Sequence, residues 1–164
     1  MLPTVPQRNI LEWFRPTVAE RYEIFQYFSP ELGPFPRGVL TINGPLSATL
    51  ETRFGTYTIQ RQSLFTNLFV TDVTGALVAE VRTSWWGKRR MTFSDGREFH
   101  FSASNMVRSR WLWSNAEGEP RALVKRNQIF FSPEWPVKEG LSALMAGMTI
   151  YFMLTKPSLF SMFS

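Results

Sequence analysis

The feature that most constrains this chain is an uncharged apolar run near its C-terminus, Leu141-Ser-Ala-Leu-Met-Ala-Gly-Met-Thr-Ile-Tyr-Phe-Met-Leu154. Pro136 and Lys138-Glu139 lead into it and Lys156-Pro157 follow it, start and stop signals that predict a helix over about 138–154. As a helix, the stretch from 141 to 154 would be roughly 21 Å long, against a bilayer hydrocarbon core of about 30 Å. A buried core helix is therefore expected, not a membrane span. A helix that is apolar on every side has no face to give to water, so the rest of the chain has to enclose it.

What precedes the helix reads as strands. Gly38 to Ile42, the turn Asn43-Gly44 and Leu46 to Leu50 predict a hairpin with a glycine-enabled turn. Thr56 to Arg61 and Leu64 to Thr71 continue the series. The turn signals Asp72-Val-Thr-Gly75, Ser94-Asp-Gly96 and Asn115-Ala-Glu-Gly118 then separate runs of similar length, which predicts three consecutive hairpins over 64–126. Alternation identifies the core side: Leu77, Ala79 and Val81 share one face, as do Met91 and Phe93, Phe99, Phe101 and Ala103, and Trp111 and Trp113. A meander with a regular apolar face, followed by a wholly apolar helix, predicts a mainly β fold in which an antiparallel sheet closes into a barrel around that helix.

The N-terminal stretch has a different pattern. Thr17 and Glu20 fit a capping box, and Val18, Tyr22 and Phe25 fall at helical spacing, so a helix over about 17–28 is expected outside the sheet. Asn9 and Glu12 repeat the pattern with Ile10, Trp13 and Phe14, limited by Pro16. The expected organisation is a lead-in over 1–36 with short helices and a barrel domain over 37–164. Met1 to Arg8 lacks a basic segment followed by an apolar one, so no secretory signal is expected, and a cytoplasmic protein, at most peripheral to a membrane, is.

Charge is unevenly distributed. Between Arg82 and Arg126 ten basic and four acidic residues leave +6, while the remainder of the chain carries −1. Lys88, Arg90, Arg108 and Arg110 fall on outward strand positions and are expected to form one basic face, with Trp86 of the Trp85-Trp86 pair beside it. Aromatic side chains next to a basic run suit a surface that meets anionic headgroups. Catalysis has little to stand on. There is no cysteine, His100 is the only histidine, and no Gly-x-Ser-x-Gly elbow or phosphate-cradling glycine motif occurs. No enzyme activity, metal or cofactor is expected.

The segments Phe69-Val-Thr-Asp-Val-Thr-Gly-Ala-Leu-Val-Ala-Glu-Val81 and Phe93-Ser-Asp-Gly-Arg-Glu-Phe99, together with the terminal apolar helix, resemble the Tubby C-terminal-like superfamily. That superfamily takes in the phospholipid scramblases and the plant LURP-one-related proteins. The resemblance covers roughly residues 37 to 155. It implies about twelve antiparallel strands around a central C-terminal helix, and action at membranes through anionic headgroups or lipid movement. The chain departs from the scramblases in having no cysteine cluster and no acidic calcium-binding loop beside the helix, so lipid movement is not expected of it.

The expected function is a non-catalytic module that binds anionic membrane lipid, or another polyanion, through Lys88, Arg90, Arg108, Arg110 and Trp86. Two alternatives use the same features differently. A single-stranded nucleic-acid binder would use these arginines for phosphates and an exposed aromatic for bases, although Trp111 and Trp113 are assigned to the interior. A hydrophobic-ligand barrel would leave the lumen open and place the helix outside or as a lid.

Overall fold

The computed structural model describes residues 10–15, 20–27, 34–63, 67–84, 88–103, 110–132 and 141–154. The strands in chain order are β1 (Ile10–Phe14), β2 (Arg21–Tyr27), β3 (Pro34–Ile42), β4 (Ser47–Thr52), β5 (Gly55–Arg61), β6 (Leu68–Thr71) and β7 (Leu77–Thr83). They continue as β8 (Arg89–Phe93), β9 (Glu98–Ala103), β10 (Arg110–Asn115), β11 (Pro120–Lys125) and β12 (Gln128–Phe131), and α1 (Leu141–Leu154) follows. Each strand pairs antiparallel with the next, and β1 pairs antiparallel with β12, so the sheet closes on itself and leaves no edge.

The strand count sets the size of the lumen. Twelve strands spaced about 4.8 Å apart and tilted by about 40° put the wall roughly 12 Å from the barrel axis. A helix with its side chains fills about 5–6 Å of that radius. One layer of inward side chains fills the rest, and α1 is buried on all sides from Ala143 to Phe152. The lumen is occupied by the chain's own helix, which removes the open interior that a hydrophobic-ligand barrel requires.

The helix lies off-centre. A Cβ built on Gly147 would sit 2.9 Å from a Leu50 methyl, so glycine leaves room for the Leu50 side chain between the helix and β4. Across the lumen the wider gap is filled by aromatics. Phe101 stacks on Trp111 at 5.0 Å between centroids and meets Trp113 at 4.9 Å, and the ring of Phe152 lies 5.4 Å from Phe101. The buried Trp113 Nε1 donates to Thr149 Oγ1 at 2.9 Å, and that hydroxyl donates to the Met145 carbonyl at 2.7 Å, so both polar groups are satisfied without water.

Two expectations are corrected. The N-terminal stretch is not a helical lead-in: Ile10–Phe14 and Arg21–Tyr27 are strands of the barrel wall, and the boundary at 36/37 falls inside β3. The burial of Leu11 and Trp13, and of Tyr22 and Ile24, follows period 2, because without these strands β3 and β12 would be open edges. Thr17 and Val18 of the expected capping box lie outside the described residues, and Glu20 faces Arg15 at 3.7 Å. Leu77 does not share the inner face of Ala79 and Val81. A register shift between Val70 and Thr71 turns it outward, and it is 45 % exposed.

The chain closes one end of the barrel with three similar turns. Gly75, Gly96 and Gly118 have φ of 84°, 94° and 83°, and their amides donate to the carbonyls of Asp72, Phe93 and Asn115 at 2.9–3.0 Å. Left-handed glycine after a tight turn is the bulged form that adjacent antiparallel strands accept. Since β12 also finishes at this end, α1 enters here and emerges at the other end, where Tyr151 Oη donates to the Pro45 carbonyl at 3.1 Å.

Candidate anion site at the basic end of the barrel

Strand ends carry the charge. Arg21, Arg61, Arg89, Arg110 and Lys125 are terminal residues of β2, β5, β8, β10 and β11, all at the end where α1 emerges. Arg15, Lys88 and Arg126 adjoin strand ends there as well. Acidic residues collect at the opposite end: Asp72, Asp95, Glu117 and Glu119 lie in the glycine turns, Glu98 opens β9 and Glu51 stands one residue before β4 ends; Arg53, Arg97 and Arg121 stand among them, and Glu20 adjoins β2 at the basic end. The charge asymmetry legible in the sequence is thus an axial one in the fold. Arg110 stands directly across from Lys125 and Arg82 across from Arg90, like-charged pairs that a sheet tolerates poorly and that concentrate positive potential.

Of the residues expected to form a basic face, Lys88, Arg90 and Arg110 are exposed, while Trp86 and Arg108 lie outside the described residues. Arg90 is engaged: its Nε lies 3.5 Å from Glu98, whose other oxygen is 3.0 Å from His100 Nε2. Arg90 pairs with His100 on β9, whereas Arg110 on β10 is next to Trp111, the partner of Ala103. That offset of two strands and about four residues separates Arg90 and Arg110 by on the order of 16 Å. They are two points on a basic end and do not share one small site.

A tighter cluster lies inside the mouth. Arg89 is 4 % exposed, and its guanidinium carbon stands 4.5 Å above the ring of Phe152 in the last turn of α1. Arg61 lies beside it: its guanidinium carbon is 5.4 Å from the Tyr151 ring, and its Nε and Nη2 donate to the Pro45 carbonyl at 3.3 and 3.0 Å. Burial lowers the Arg89 pKa to about 10, with the Arg61 charge acting in the same direction and Tyr151 opposing. Arg89 therefore remains a cation at neutral pH. Burial likewise raises the Tyr151 pKa, against the effect of Arg61, so its hydroxyl stays protonated and donates to Pro45.

Sequence reasoning counted Arg89 in the basic segment without separating it from Lys88 and Arg90. The signal was available in the strand period, since Arg89 is in phase with Met91 and Phe93, and Arg61 with Ile59. An arginine on the inner face of a barrel strand is a departure from the apolar pattern of that face. Among the described residues no group of histidine, cysteine, aspartate and glutamate could hold a metal ion. Comparison with protein-family models, curated proteins and solved structures found no match to this chain.

Proposed function

We propose that the protein is a non-catalytic module that docks on anionic membrane lipid through the basic end of its barrel. The observation that carries this reading is the placing of four solvent-accessible strand-terminal cations, Arg21, Arg61, Arg110 and Lys125, at the end where α1 emerges. Each lysine or arginine near an anionic leaflet contributes about 1 kcal/mol, so these four suffice for reversible attachment without the buried Arg89. Exposed apolar side chains do not distinguish the ends: Leu46, Met153 and Leu154 are exposed at the basic end, but so are Phe54, Val73 and Leu77 at the other. Charge decides the orientation, and the exposed helix tip would then meet the headgroup layer.

The closed barrel around a C-terminal helix is the architecture that the resemblance to the Tubby C-terminal-like superfamily implies, and action at anionic headgroups is the role it suggests. On this reading the protein works at the cytoplasmic face of a membrane. No helix among the described residues is long and apolar enough to cross a bilayer. The single-stranded nucleic-acid reading gains nothing from the described tryptophans, since Trp13, Trp111 and Trp113 are all buried.

Vesicle sedimentation tests the proposal. The protein should pellet at low salt with phosphatidylcholine vesicles containing phosphatidylserine, and should be released at about 0.5 M salt, where the screening length is only a few ångströms. Equal binding to pure phosphatidylcholine, or none to either, would remove it. Tight oligonucleotide binding that acidic vesicles fail to displace would favour the nucleic-acid reading instead.

A further inference from the structure

The geometry points to a seat for a phosphate monoester in the barrel mouth, built from the buried Arg89 with Arg61 and Tyr151. The inference deepens the membrane reading by naming a headgroup chemistry, and it also stands for a soluble phosphate.

A guanidinium has five N–H donors in a fixed plane. For Arg89, no hydrogen-bond acceptor and no carboxylate partner occurs among the described residues. The ring of Phe152 offsets part of the charge but offers no oxygen. Nor does the surrounding sequence hold a carboxylate side chain: there is no aspartate or glutamate between Arg61 and Asp72, between Arg82 and Asp95, or after Glu139. The other cation of the cluster, Arg61, adds repulsion where a structural ion pair would have supplied a counter-charge. A buried cation held beside a second cation, with its donors open, is suited to an oxyanion.

Burial narrows the class of anion. With Arg89 only 4 % exposed, a bulky group cannot reach its donors, whereas a terminal phosphate with three free oxygens can. Two of those oxygens suit the fork of Arg89, and the third can take donors that Arg61 and Tyr151 now direct at the Pro45 carbonyl. A phosphodiester such as phosphatidylserine, substituted on both sides, fits less well. Phosphatidic acid and free phosphate carry the same chemistry from a lipid and a soluble source.

The test is thermal denaturation of the full chain with inorganic phosphate, against sodium chloride at equal ionic strength. At ten times its Kd, phosphate should raise the midpoint by about 3–6 °C. No shift beyond that of chloride overturns the proposal. Arg89→Met should abolish the shift and, because it removes a buried charge without a partner, should melt higher than the wild type in the absence of phosphate. A variant that melts lower and still responds to phosphate identifies Arg89 as a brace for the helix end and overturns the proposal. Arg89→Lys keeps the charge but loses the fork, and should bind phosphate at least tenfold more weakly; unchanged affinity overturns it too.

Vesicles separate the sources. Wild type should prefer phosphatidic acid to phosphatidylserine at matched surface charge, and Arg89→Met should lose that preference while keeping its binding to phosphatidylserine. A phosphate-dependent midpoint with no vesicle binding at all supports a soluble phosphate ligand and removes only the membrane reading.

Discussion

At one end of the barrel, three adjacent hairpins turn through left-handed glycines, and the side chains of Asp72 and Asn115 accept backbone amides within their own turns. At the other end, strands finish in arginine and lysine, and the carbonyl of Pro45 takes donors from Arg61 and Tyr151. The first end satisfies the backbone amides of these turns locally. The second collects charge from strands far apart in sequence and leaves the cation of Arg89 without a counter-charge among the described residues. The contrast is between polar groups satisfied within their own turns and a charge that the wall leaves uncompensated among the described residues.

The largest effect is expected where the two ends are joined. Leu144 is 2 % exposed on the helix that runs from one end to the other. Leu144→Asp would put a carboxylate among apolar walls at a cost of several kcal/mol, a large part of the 5–15 kcal/mol typical of a domain. The variant should lose its cooperative melt in circular dichroism. Survival of a wild-type melt would show that the helix does not brace the barrel.

Arg89 tests whether a charge already buried at the mouth strains the fold. Its pKa of about 10 lies below the ordinary guanidinium range, so the folded chain releases this proton more readily than the unfolded chain. Keeping Arg89 charged below pH 10 opposes folding by up to roughly 3 kcal/mol. As pH rises from about 10 towards the ordinary guanidinium range the unfolded chain binds more protons than the folded one, and that deficit fades. The stability advantage of Arg89→Met in denaturant titrations should be full at pH 8 and smaller at about pH 11. An advantage that does not change with pH would mean that burial does not disfavour the charge.

Surface charge at the two ends should separate more gently. Lys88→Gln with Lys125→Gln removes two exposed cations and should weaken binding to phosphatidylserine vesicles by about 2 kcal/mol, near thirtyfold. Glu117→Gln with Glu119→Gln at the other end should leave it unchanged or slightly tighter. Equal losses from both pairs would make the effect one of net charge and not of orientation. The smallest change is local to the turns: Gly75→Ala, at φ 84°, should cost about 1–2 kcal/mol of stability and leave vesicle binding intact.

Much of this architecture is legible along the chain because it rests on local periods. The apolar run of α1, the glycine turns at Gly75, Gly96 and Gly118, and the alternation from Ala79 through Trp113 each declare themselves within a few residues. The N-terminal strands do not. Tyr22 and Phe25 fit a helical spacing as readily as Tyr22 and Ile24 fit a strand, and the choice is made by unpaired edges on β3 and β12, the second more than a hundred residues away. The basic end has the same character. That Arg89 lies on the inner face follows from its phase with Met91; that it is buried follows only from the arrival of Phe152, and that a second cation stands near it follows from the pairing that brings β5 and β8 to the same mouth. Backbone period is a short-range property, whereas desolvation and the charge beside a group depend on which distant segments fill the space around it. Only closure of the barrel around its helix decided those.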